Sequence, residues 1–205
     1  RSHRQVGVVD ARGNAAAFTG EDCFDWAGDA TGDYYTVQGN ILVGEETVGE
    51  MGRAFVETTG SLADRLLASL AAGQRAGGDS RGRQSAALLV VRENGGYGGR
   101  NDRALDLRVD DHPEPIEELL RIRSLHELYF GEVKPEDVVK LDGRAREDVA
   151  SILRGLGYLR TGHPAGDGEL YHALGAFIRT ENFEEREQER GYIDLEVLRA
   201  LQSRR

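Results

Sequence analysis

At 205 residues, 39% of them hydrophobic and 30% charged, the chain can build one sizeable domain or two small ones. Its longest apolar run, Ala86 to Val91, is strand-sized, which excludes a helical membrane span. The formal net charge of -10 argues against nucleic acid as the main partner, because binding DNA or RNA starts from basic surface.

Cys23 is the only cysteine, so neither an internal disulfide nor a cysteine-based zinc site is available, and a reducing, cytoplasmic setting is expected. Basic residues are nearly all arginine, with Lys134 and Lys140 the only lysines. The chain opens Arg1-Ser2-His3-Arg4 and reads as a processed product or as part of a longer one.

In chain order, QVGVVD-ARGN-AAAFTG predicts a β-hairpin turning at Ala11–Asn14. EDCFDWAGDATGDYY is rich in Gly and Asp and reads as a long loop. It enters a strand, YTVQGNILVG, with a polar interruption at Gln38-Gly39-Asn40. Val48, Met51, Phe55 and Val56 recur at helical spacing over Glu45 to Thr58. Ser61-Leu62-Ala63-Asp64 resembles a capping box opening a second helix, with Gly73 as its candidate terminator.

GGDSRGRQSA then leads into strand Ser85–Arg92, and Ala104–Val109 returns beside it after a glycine-rich turn. A helix follows over Pro115–Tyr129. Beyond Gly131 the spacing predicts a linker around Glu132–Lys140 and then three helices: Asp142–Leu156, Glu169–Phe183, and one from Leu195. Strands joined by antiparallel connections, not alternating with helices, point to an α+β class. The domains are therefore expected at 1–131 and 132–205.

The polar groups heading the Ala86 strand invite three explanations. A phosphate cradle fits poorly, since no Gly-Lys-Ser/Thr follows the glycines and no strand precedes them. A surface turn would have Gly77 and Gly78 ending the helix while Asp79 and Arg81 pair. An active-site rim would use Arg81 or Arg83 to grip a carboxylate, with Gln84 and Ser85 orienting an amide. In the Gln38–Asn40 segment, Gly39 would let a ligand approach the backbone and Asn40 could donate to an oxyanion; a β-bulge with locally satisfied amides is the structural alternative. Thr19 at the hairpin's end joins that rim or simply forms a turn. Asp110-Asp111-His112 is explained by capping of the following helix rather than by a metal. His126, His163 and His172 are scattered.

Taken together, RQVGVVDARGNAAAFTG, YTVQGNILVGEE, AAGQRAGGDSRGRQSAALLVVRENGGYGG and DLRVDDHPEPIEEL resemble an uncharacterised prokaryotic family related to the N-terminal-nucleophile (Ntn) hydrolases. LDGRAREDVASILRGLGYLRTG through LEVLRALQ resembles an appended peptidoglycan-binding module. The resemblance implies a four-layer αββα sandwich followed by a small three-helix bundle. It also implies hydrolysis of the C–N bond of a small amide or peptide-like substrate, with no cofactor or metal. The presumed nucleophile belongs to strands preceding Arg4, so the sandwich would be incomplete at its N-terminus. Asn40 is then the oxyanion candidate, and Thr19, Gln38, Gly39, Asp79, Arg81, Gln84 and Ser85 line the pocket. The competing expectation is a non-catalytic protein that binds cell wall or forms a homo-oligomer; a homo-oligomer is expected on either reading.

Overall fold

The computed structural model describes residues 1–160 and 164–204, so His163 lies outside the described residues. Helices and antiparallel strand pairs make up an α+β chain that divides into two compact units, Arg1–Arg123 and Ser124–Arg205.

In the first unit, β1 (Gln5–Val9) pairs with β2 (Ala15–Thr19), closed by Asp10, whose carboxylate accepts the backbone N–H groups of Arg12 and Asn14. The stretch expected to be a loop contains a strand. β3 (Gly28–Gly32) pairs with β4 (Tyr35–Gly39), turning through Asp33 and a left-handed Tyr34. The GDATG sequence has almost no intrinsic strand propensity. Its end glycines instead admit aromatic rings, Trp26 beside Gly28 and Tyr35 beside Gly32, and pairing with β4 sets the conformation. β1 lies against β4 at Gly7, where any side chain would collide with Thr36 and Gln38.

Helix α1 (Glu45–Glu57) covers β3 and β4, its Phe55 ring 5.1 Å from that of Tyr35. Helix α2 (Leu62–Arg75) starts at the expected capping box: the Ser61 hydroxyl accepts from the Asp64 N–H while the Asp64 carboxylate accepts from the Ser61 N–H. Gly73 does not end it. The helix runs two residues further, and Gly73 is buried because a Cβ there would meet Met51 of α1. The stop is made by Gly77 and Gly78, both at positive φ, with the Gly78 N–H returning to the Gly73 carbonyl. Two further contacts bind α1 to α2: the Ser69 hydroxyl donates to the Met51 carbonyl at 2.9 Å, and Arg65 lies over the Phe55 ring.

β5 (Ala86–Val91) and β6 (Arg103–Val109) pack one face on α2 and on Leu119 of α3 (Pro115–Phe130). Alternation along β5 leaves Leu89 and Val91 57% and 63% exposed, and on β1 it leaves Val6 and Val8 51% and 57% exposed. The unit therefore carries apolar sheet faces that nothing in it covers.

In the second unit, α4 (Gly143–Gly155), α5 (Asp167–Thr180) and α6 (Leu195–Ser203) bury Leu153, Leu170, Phe177 and Val197 in one core. The three expected helices are accompanied by a short antiparallel strand pair, β7 (Val138–Lys140) and β8 (Tyr192–Asp194), which brings together the segments ahead of α4 and α6. Asp142 stands at the start of α4, but its side chain makes no cap and instead holds Lys140 at 2.9 Å. Asp194 is the effective cap: its carboxylate accepts from Glu196 and Val197 N–H at the head of α6. Among the described residues no helix is long and apolar enough to cross a membrane.

Candidate functional site

The predicted site residues of the first unit fall into three groups. The first is organised by Gln5, the residue that opens β1. Its Nε2 donates to Thr19 Oγ1 at 2.9 Å, to the Gly39 carbonyl at 2.9 Å and to the Gly28 carbonyl at 3.2 Å. Its Oε1 accepts from Asn40 Nδ2 at 3.3 Å. The Thr19 hydroxyl in turn donates a hydrogen bond to Asp29 Oδ2 at 2.5 Å. One half-buried amide thus brings together Thr19, Gly39 and Asn40 from β2 and the end of β4. Gln38 is not part of this network, because its Oε1 accepts from Thr36 and lies over Gly7.

The second group is the Asp79–Arg81 turn. Leu42 and Asp79 form a β-bridge, flanked by the Val43 N–H on the Gly78 carbonyl at 3.0 Å and the Ser80 N–H on the Ile41 carbonyl at 2.8 Å. This ties the turn to the residues directly after Asn40. Asp79 grips Arg81 with both oxygens, at 2.9 Å to Nε and 2.7 Å to Nη2, and also takes the Arg81 backbone N–H. The Arg81 side-chain hydrogen bonds, helped by that N–H, hold the Asp79 carboxyl down at about 2. The pairing expected of a surface turn and the orientation expected of a rim are therefore the same contact.

Gln84 and Ser85 form a third group at the head of β5. Gln84 Nε2 donates to Asp111 at 3.1 Å, and its carbonyl accepts the His112 N–H; Ser85 is exposed. His112 Nδ1 takes the Glu114 N–H just ahead of α3, so the Asp110-Asp111-His112 segment is used in strand and helix termination. A cavity of about 160 Å³ in this unit is lined by Gln74, Arg75, Arg83, Glu114 and the start of α3. None of Thr19, Gln38, Asn40 or Arg81 lines it.

Two contributors escaped the sequence reading, Gln5 and Asp29. Gln5 is the one long polar side chain in a strand of small and branched residues, which is the signal that marks it. Asp29 sits in the stretch read as a loop and gave no such signal.

Chemically, the first group is a hydrogen-bonding array that runs from the Gln5 amide through Thr19 to the Asp29 carboxylate, with the Asn40 amide at its edge. Asn40 is exposed and reaches Gln5 with its Nδ2, the group that would donate to a developing oxyanion. Among the described residues no three His, Cys, Asp or Glu side chains cluster in a way that would hold a metal ion.

A family model described as "Family of unknown function (DUF1028)" matches residues 1–119. A second, described as "Putative peptidoglycan binding domain", matches residues 129–201. Among solved structures, the crystal structure of protein SPO2555 from Silicibacter pomeroyi, assigned to the first of these families, is similar at 35% identity and a TM-score of 0.52. The likeness covers 60% of this chain and 50% of that one, so the chain spans about half the length of the solved relative. No curated protein matches.

Proposed function

The chain belongs to the family of unknown function DUF1028, and on that premise we propose that residues 1–123 form the substrate-binding part of an Ntn-type amidohydrolase acting on a small amide or peptide-like compound. The observation that carries this reading is the Gln5 network. The half-buried Gln5 amide, pinned by three acceptors, holds the exposed Asn40 amide through one hydrogen bond at 3.3 Å, and an oxyanion donor is positioned before reaction by contacts of this kind. Gly39 does not offer the ligand approach expected of it, because the Leu42 side chain covers its Cα and Gln5 takes its carbonyl. The Asp79–Arg81 turn, bridged to Leu42, would form the wall beside exposed Asn40, with Gln84 and Ser85 beyond it.

The nucleophile is assigned to a further segment. The Thr19 hydroxyl donates a hydrogen bond to Asp29 and accepts one from Gln5, and among the described residues its hydrogen-bond partners include no amine to act as base. The bare apolar faces of β1 and β5 support an additional layer of chain, as the αββα sandwich requires.

The test is release of ammonia or amine from a panel of carboxamides and short peptides. The chain alone is compared with the chain joined to the strand segment that bears an N-terminal Thr, Ser or Cys. Turnover is expected only from the joined protein and is expected to vanish when that first residue becomes Ala. Turnover by the chain alone, or by neither form, contradicts the proposal.

A second reading concerns residues 124–205. The match of residues 129–201 to a peptidoglycan-binding model supports cell-wall glycopeptide as the partner of this unit. Co-sedimentation of the whole chain with insoluble peptidoglycan tests it; a chain that stays wholly in the supernatant would rule this partner out.

A further inference from the structure

A cavity of about 340 Å³ lies inside the second unit, between one face of α5 and the segment from Arg186 to Asp194. The α5 side is set by Gly168, Tyr171, Gly175 and Arg179, residues three, four and four apart that share a helical face. Gly175 keeps the floor open. A Cβ there would stand 3.2 Å from an Arg179 guanidinium nitrogen, close enough to displace it slightly, and in ordinary contact with Glu187 Oε1 at 3.6 Å.

The arginines around this cavity differ in what they are doing. Arg186 is buried, its side chain 6% exposed against 0% for Asp194, and its guanidinium is fully committed. It donates to Asp194 Oδ2 at 3.1 Å, to the Glu127 carbonyl at 2.7 Å and to the Leu128 carbonyl at 2.5 Å. That charge is neutralised and fixed, and it forms structure. Arg179 and Arg190 line the same cavity, both are exposed, and among the described residues neither holds an ion-pair or side-chain hydrogen-bond partner. Elsewhere in this unit Arg146, Arg199 and Arg204 each hold a carboxylate. Around the cavity three arginines face two carboxylates, Glu187 and Asp194, leaving a positive site on a chain of net charge -10.

We infer that this cleft binds the free carboxylate of a short peptide, with Arg179 and Arg190 gripping the carboxylate and Tyr171 and Tyr192 flanking the residue that bears it. The inference rests on the peptidoglycan reading of the second unit and names the part of that polymer recognised, the peptide stem and not the glycan. A glycan offers neutral hydroxyls, for which two unpaired guanidinium groups have no use, whereas planar forks match a carboxylate. Phosphate also suits arginine, but Glu187 on the rim repels a dianion more than a monoanion.

The test titrates the whole chain with a stem-type pentapeptide ending in D-alanyl-D-alanine, with the same peptide amidated at its C-terminus, and with inorganic phosphate as competitor. The free acid is expected to bind. Amidation, or the double substitution Arg179→Gln with Arg190→Gln, is expected to weaken binding at least about tenfold, the scale of a lost charge-assisted contact. Equal binding of acid and amide, no effect of the double variant, or displacement by equimolar phosphate would overturn the inference. Both arginines are exposed, so the variant should keep the wild-type melting curve; if it does not, the acid–amide comparison on the wild type decides alone. If peptidoglycan sediments wild type and double variant alike, the cleft assignment fails while the peptidoglycan reading stands. If neither peptide nor peptidoglycan binds the wild type, both fail.

Discussion

The Asp79–Arg81 pair shows how one contact can close a turn and leave a testable trace in pH. The Asp79 carboxyl is lowered from 3.8 to about 2, first by the Arg81 guanidinium and then by the Arg81 backbone N–H. A folded value below the unfolded one means that the pairing contributes fully above about pH 4 and is lost as the pH falls through about 2. A carboxyl-carbon NMR titration should therefore place Asp79 near 2, and Arg81→Ala should move the midpoint up towards 3.8. An unshifted midpoint in the variant would mean that the backbone holds the carboxylate without help. The pairing itself was legible, because Asp and Arg two apart in a glycine-rich turn have little else to bind. The role of Gln5 was not, since its three acceptors come from Thr19, Gly28 and Gly39, brought to it only by tertiary pairing.

Elements were readable where local signals and tertiary packing agree. The Ser61–Asp64 box and the apolar stripe behind it specify the start of α2 without reference to the rest of the chain. Gly73 misleads because a glycine stops a helix in isolation but also allows two helices to approach, and here Met51 occupies the space a side chain would fill. β3 and the β7–β8 pair were hidden for a related reason: GDATG and VVK are too short or too glycine-rich to announce strands, and their partners define them. In the second unit Asp194 serves two elements at once, capping α6 and pairing with buried Arg186. Asp194→Ala should cost roughly 3–5 kcal/mol in urea unfolding, as expected when one member of a buried pair is removed. Asp194→Asn, which keeps a capping oxygen, should cost less. A loss below about 1 kcal/mol for Asp194→Ala would mean that water replaces the carboxylate, against its complete burial.

At the scale of the whole molecule, the two units have separate cores. The second unit is closed around Phe177 and Leu153 and offers a positive cleft. The first has a core of Leu67, Leu88, Leu107 and Leu119 but leaves Val6, Val8, Leu89 and Val91 on open sheet faces. Two-stranded sheets are marginal without a covering layer, so these faces are where a further layer would pack. If the chain forms part of an amidohydrolase as proposed, Asn40 is its residue that should affect the chemical step. The most direct measurement is kcat for the segment-completed protein with Asn40→Ala. A fall of about 100- to 1,000-fold with KM nearly unchanged is expected, the signature of a lost oxyanion donor. An unchanged kcat, or a loss confined to KM, would contradict it.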